Sequence, residues 1–101
     1  MKENGSIEII SFNIVETMEE QQVVEGFKIL DGFYKKHDGY YGMDIAKGKE
    51  YQWTMVLKWE TKDHEKKASA LMMKSDETNL FKMLIIPQTV VKNVYPCFEI
   101  N

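Results

Sequence analysis

Between Tyr51 and Glu60 the chain alternates strictly, with Tyr51, Trp53, Met55, Leu57 and Trp59 on one face and Gln52, Thr54, Val56, Lys58 and Glu60 on the other. That period of two is the mark of a strand, and its large apolar face has to be covered. Glycine and lysine at Lys47-Gly48-Lys49 mark a turn just upstream, so Gly39 to Thr61 reads as a hairpin. Ser6 to Val15 is a second β-rich segment, apolar on both faces: Ile10, Phe12 and Ile14 oppose Ile7, Ile9 and Val15. From Met18 to about His37 the spacing changes to threes and fours, through Val23, Val24, Phe27, Leu30, Phe33 and Tyr34, which predicts an amphipathic helix. Thr17 with Glu20 is a candidate N-terminal cap, and Gly39 a stop.

Downstream, Thr61 or Asp63 caps a second helix whose narrow face is Ala68, Leu71, Met72 and Ser75. Ser75 to Thr78 is a polar interruption before LFKMLII, and Pro87 ends that run. The last element, Gln88 to Ile100, is β-rich, with Pro96 pointing to an edge, a bulge or a strand end. The order is strand, helix, strand, strand, helix, strand. Its economical topology is an α+β, ferredoxin-like βαββαβ fold with a four-stranded antiparallel sheet and both helices on one side. Two helices cover one face of such a sheet, yet the first strand is apolar on both. A homodimer joined through its sheet faces, a dimeric α+β barrel, supplies the missing cover.

At 101 residues and 44% hydrophobic, residues 1–101 form a single domain with one core. A net charge of −3, with both signs mixed along the chain, provides no electrostatic footprint for nucleic acid or an anionic membrane. The lone Cys97 excludes an intrachain disulfide and a cysteine-based zinc cluster. No apolar run follows Met1, so neither a secretory signal nor a membrane span is expected, and a cytoplasmic setting is the default. Glycines 39, 42 and 48 form no phosphate-cradling loop, and Asp63, His64 and Glu65, adjacent on a helix, diverge too much to share a metal. No metal and no cofactor is expected.

The run Gly39-Tyr40-Tyr41-Gly42, then Trp53 to Leu57, then Trp59-Glu60-Thr61 opening a helix, then Ser75-Asp76 with Phe81-Lys82 beyond, resembles the antibiotic-biosynthesis-type monooxygenase family. The resemblance spans nearly the whole chain in element order, and its motif is mostly scaffold. It implies a small dimeric α+β barrel and, among the family's activities, cofactor-independent oxygenation of quinone-like or polyketide aromatics. Heme-degrading members carry an Asn on the first strand, a Trp on the second helix and a His near that helix's end. Asn13 matches the first, but Ala68 to Leu71 and Met83-Leu84-Ile85 stand where the other two are expected. The resemblance therefore does not extend to heme degradation.

Candidate site residues follow from this reading. Asn13, an amide within an apolar strand, is the candidate catalytic residue, able to orient a substrate oxygen or dioxygen. Trp53, Trp59 and Tyr51 are the candidate substrate-binding residues, lining an apolar space with the other tyrosines. Each also has a plainer reading: tryptophans at strand spacing pack cores, and a strand Asn can simply face solvent. His37 after Lys35-Lys36 reads as a helix-end cation, Cys97 as a small hydrophobe, and Met55, Met72, Met73 and Met83 as gap fillers. Two functional classes result. One is a small oxygenase acting on an apolar aromatic; the other is a non-catalytic barrel that binds an apolar small molecule or serves assembly.

Overall fold

The computed structural model describes residues 1–100. Over these residues the chain forms strands β1 (Lys2–Asn13), β2 (Tyr40–Lys47), β3 (Gln52–Trp59) and β4 (Val91–Glu99), and helices α1 (Glu20–Tyr34), α2 (Lys62–Lys74) and α3 (Asn79–Leu84). The strands make one sheet in the order β2-β3-β1-β4, each neighbouring pair antiparallel. This is the ferredoxin-like βαββαβ arrangement expected from the element order. The LFKMLII run adds a short third helix to it.

Register decides which residues meet. Phe12 lies opposite Trp53, Ile10 opposite Met55, Glu8 opposite Leu57 and Ser6 opposite Trp59, and all share the face that the helices cover. The intervening pairs, Ile7 with Lys58, Ile9 with Val56, Ser11 with Thr54 and Asn13 with Gln52, share the open face. At the β1 end of the helical face Phe12, Phe27, Trp53 and Phe81 form one aromatic core, with Phe27 5.4 Å from Trp53 and 6.0 Å from Phe81, ring centre to ring centre. At the other end Trp59 packs between Tyr34 and Tyr40, at 5.0 and 5.1 Å. Gly26 lets α1 and α3 touch, since a Cβ there would stand 2.3 Å from Leu84 Cδ1.

Local chemistry moved several boundaries. Glu19, not Thr17, precedes α1, and its backbone N–H donates to Gln22 Oε1 at 2.9 Å, a reciprocal cap two residues later than expected. Tyr51 belongs to the turn rather than to β3, because the hairpin closes through Gly48 N–H to Gln52 O with Glu50 in a left-handed conformation. Thr61 does cap α2, accepting from His64 N–H at 3.1 Å. Gly39 has φ +83°, and the His64 ring occupies the space a Cβ would need. Pro96 sits on edge strand β4, beside the irregularity in its pairing with β1.

Candidate functional site

Helix α1 and helix α2 cover the sheet unequally. Along α1, Val23, Phe27, Leu30, Phe33 and Tyr34 are all buried, whereas α2 buries only Glu65, Ala68 and Met72, with Leu71 and Met73 turned outward. Small residues on the α2 face leave a cleft of about 390 Å³ between that helix and the sheet. Its floor is Glu8 and Ile10 of β1, Met55 and Leu57 of β3, and Lys92 of β4. Leu30 and Tyr34 form one wall, Ser69, Met72 and Met73 the other, and Phe81, Lys82, Ile85, Pro87 and Val90 close the end. The volume lies within the roughly 300–1,000 Å³ range of small-molecule sites, and the lining is mostly apolar.

Its few polar groups are organised. Glu8, only 4% exposed, accepts a hydrogen bond from Trp59 Nε1 at 3.1 Å through Oε1 and faces Lys92 Nζ at 3.6 Å through Oε2. Lys92 makes its short contact elsewhere, 2.6 Å to Glu65 Oε2, and lies 3.3 Å from Ser69 Oγ. Glu65 is as deeply buried as Glu8. Two buried carboxylates thus share one ammonium. Burial, with Glu65 as a second negative charge, holds the Glu8 carboxyl above the ordinary carboxylate range, against the opposing pull of Lys92 and the Trp59 N–H. Burial and the same two acids push the Tyr34 phenol up, which keeps it protonated as a donor. Lys82 is committed to the end of α2, donating to Met72 O at 3.2 Å, Met73 O at 3.1 Å and Ser75 O at 2.8 Å.

A second polar pair lies outside the cleft: Tyr40 donates to Asp31 Oδ1 at 2.6 Å. Burial works against the Asp31 charge, but hydrogen bonds from Tyr40 and Lys35 outweigh it and leave the carboxyl below its usual range. Burial and this bond raise the Tyr40 phenol.

None of the four residues singled out from the sequence lines the cleft. Asn13 is exposed at the end of β1 on the open face, because strand alternation sends Phe12 into the core. Its backbone N–H is bound to Thr89 Oγ1 at 2.8 Å. Trp53 packs on Phe27, and Trp59 is wholly buried, reaching the site only through its bond to Glu8. Tyr51 projects from the hairpin turn, 47% exposed. The cleft lies between sheet and helices, within one chain. Glu8 carried a readable signal, an acid in the phase of Ile10, Phe12 and Ile14; Lys92 carried none, since only the β1–β4 register brings it there. Among the described residues no cluster of three or more His, Cys, Asp or Glu is placed to hold a metal, and no helix is long and apolar enough to cross a membrane.

Comparison with solved structures identifies the fold as that of the antibiotic-biosynthesis-type monooxygenases and other ferredoxin-like proteins. SnoaB, a cofactor-independent oxygenase from Streptomyces nogalater, superposes with a TM-score of 0.76 at 10% identity, over 96% of this chain and 96% of that one. A protein assigned to the antibiotic biosynthesis monooxygenases of Nitrosomonas europaea gives 0.72 at 8% identity, over 96% and 93%. A dimeric ferredoxin-like protein from an uncultured marine organism gives 0.63 at 14% identity, over 97% and 91%. No protein-family model and no curated protein matches the sequence.

Proposed function

We propose that the cleft binds a flat, apolar, oxidisable aromatic, such as a hydroquinone or an anthrone-like phenol, and that the protein acts as a small oxygenase. The observation that carries this reading is the apolar cleft of about 390 Å³ with the buried Glu8 on its floor, linked to the buried Glu65 of α2 through the partly exposed Lys92. Supporting it is the fold held in common with SnoaB, itself a cofactor-independent oxygenase. An electron-rich ring can supply every electron the reaction needs. When a ring methylene becomes a carbonyl, dioxygen delivers one atom to carbon and leaves the other as water. The protein then has to hold the ring, exclude bulk water and favour the anionic form.

The assembly we infer is a homodimer joined through the open sheet faces. Half-buried Ile7, Ile9 and Val56 lie together at the centre of that face, uncovered by any helix. The dimeric ferredoxin-like neighbour supports association of this kind. On this reading Asn13, with Gln52 opposite it, is a polar residue of the interface rather than a substrate ligand.

Oxygen uptake with dithranol, a 1,8-dihydroxyanthrone, tests the oxygenase. The expected result is stoichiometric formation of the anthraquinone, abolished by Ser69→Trp, which fills the cleft from α2. Binding of dithranol without oxygen uptake would reduce the cleft to a binding site.

A further inference from the structure

We propose that Glu8 is the catalytic base of the cleft: its carboxylate takes a proton from an acidic C–H or O–H of the bound aromatic and leaves the electron pair on the substrate as an enolate or phenolate. The inference rests on the oxygenase reading and names the group that makes the ring electron-rich. In this step the C–H or O–H bond breaks, an O–H bond forms on Glu8, and no electrons leave the substrate. Oxidation follows separately, with dioxygen as the oxidant.

Geometry selects Glu8 over its neighbour. The Lys92 ammonium gives its hydrogen bond to Glu65 at 2.6 Å, while Glu8 Oε2, at 3.6 Å, is held by charge alone. Three groups carry two negative charges and one positive. A proton arriving on Glu8 neutralises the set, whereas a proton on Glu65 would strand the lysine's best partner. Glu8 also lines the cleft, on the strand at the centre of its floor.

Every element around Glu8 contributes to its proton affinity. Trp59 of β3 donates to Oε1. Lys92 of β4 attracts, Glu65 of α2 repels, and the phenols of Tyr34 on α1 and Tyr40 on β2 are close enough to feel its charge. Burial dominates this set and raises the carboxyl, which makes it a stronger base at neutral pH than an exposed glutamate. Neither phenol competes, because the same surroundings keep both protonated. Lys92 then stands beside the anion that forms.

Proton abstraction can be read without oxidation. Under anaerobic conditions in D2O, exchange of the dithranol methylene hydrogens is followed by NMR, with probe affinity measured in parallel by tryptophan quenching. The wild-type protein should accelerate exchange, the rate rising with pH as Glu8 loses its proton and then levelling. Glu8→Gln should slow exchange about 10²-fold or more. Its affinity for the probe should be retained, and so should its fold, since the amide still accepts from Trp59 and leaves Lys92 with Glu65. Glu65→Gln frees Lys92 for Glu8 and should move the pH profile of exchange to lower pH. Undiminished exchange in Glu8→Gln, or an unmoved profile in Glu65→Gln, would overturn the assignment. Oxygen uptake without wild-type exchange would remove Glu8 as base while leaving the oxygenase standing; exchange without oxygen uptake would do the reverse.

Discussion

The two ends of the helical face are built from the same sheet and differ in what the helices bring to it. Under α1, Phe27 meets Phe12, Trp53 and Phe81, and the volume is filled by rings. Under α2, Ser69 and Met72 border a cleft, and the sheet beneath it carries Glu8 and Lys92 among apolar side chains. One end is solid and dry, which suits stability. The other is hollow with charges on its floor, an arrangement that a fold tolerates at a site and seldom elsewhere. On the proposed reading stability and function are divided along one strand, since β1 supplies Phe12 to the first end and Glu8 to the second.

Truncation should expose that division. Phe27→Ala removes the ring at the centre of the solid end and should cost about 3–5 kcal/mol, measured by denaturant unfolding. Met72→Ala, also buried, enlarges a space that already exists and should cost nearer the low end of the range for such truncations, about 2 kcal/mol. Equal losses would mean that α2 is packed as tightly as α1. Phe12→Asp belongs with the first: Phe12 is 1% exposed under α1, so a charge there unfolds the chain instead of parting a dimer.

The open face is probed by Ile9→Asp. Ile9 lies at its centre opposite Val56, half-buried already in the single chain. Sedimentation at micromolar concentration should show a wild-type dimer and a folded monomeric variant. A wild-type monomer, or a dimer untouched by the charge, would move the interface to another surface. It would also leave the hollow end of the helical face unsupported by assembly, which sharpens the contrast with the solid end.

How much of this was legible in the sequence divides the same way. The topology was readable because its signals are local: alternation through Trp53 to Trp59, spacings of three and four from Val23 to Tyr34, and Pro87 as a stop. Thr17 misled because capping competes among neighbours, and Gln22 reaching back to Glu19 won. The apolar doubling of β1 marked apolar residues on both faces, with Ile7 and Ile9 on the one the helices leave open. The site was far less legible. Tryptophans drew attention because they are large, yet size favours burial, and Trp53 and Trp59 became core. Clefts arise where side chains are small, so Ser69 helps define this one while carrying no chemical signal. The Glu8–Lys92–Glu65 cluster joins residues from β1, β4 and α2 that no periodicity links. Glu8 in the apolar phase of β1 was the one visible anomaly.

The smallest effect is the most diagnostic of the hollow end, and it concerns the pH dependence of stability. Glu8 has a folded pKa raised above the ordinary value of 4.5, so its protonated form is the one folding favours. The stability linked to that proton is fully present below 4.5 and is lost as pH rises through the elevated folded value. The neutral amide introduced by Glu8→Gln has no such proton to lose. Thermal melting of wild type and Glu8→Gln across about pH 4 to 8 should show the variant gaining on the wild type through that window, then holding a constant lead. The lead should shrink in a Glu65→Gln background, where Lys92 is free to pair with Glu8 and the wild-type charge imbalance is gone. A glutamate serving only as a salt bridge behaves in the opposite sense: its pKa would be depressed, and the Glu8→Gln variant would fall behind the wild type as pH rises. Such a result would make the floor of the cleft a structural ion pair and erase the distinction between the two ends.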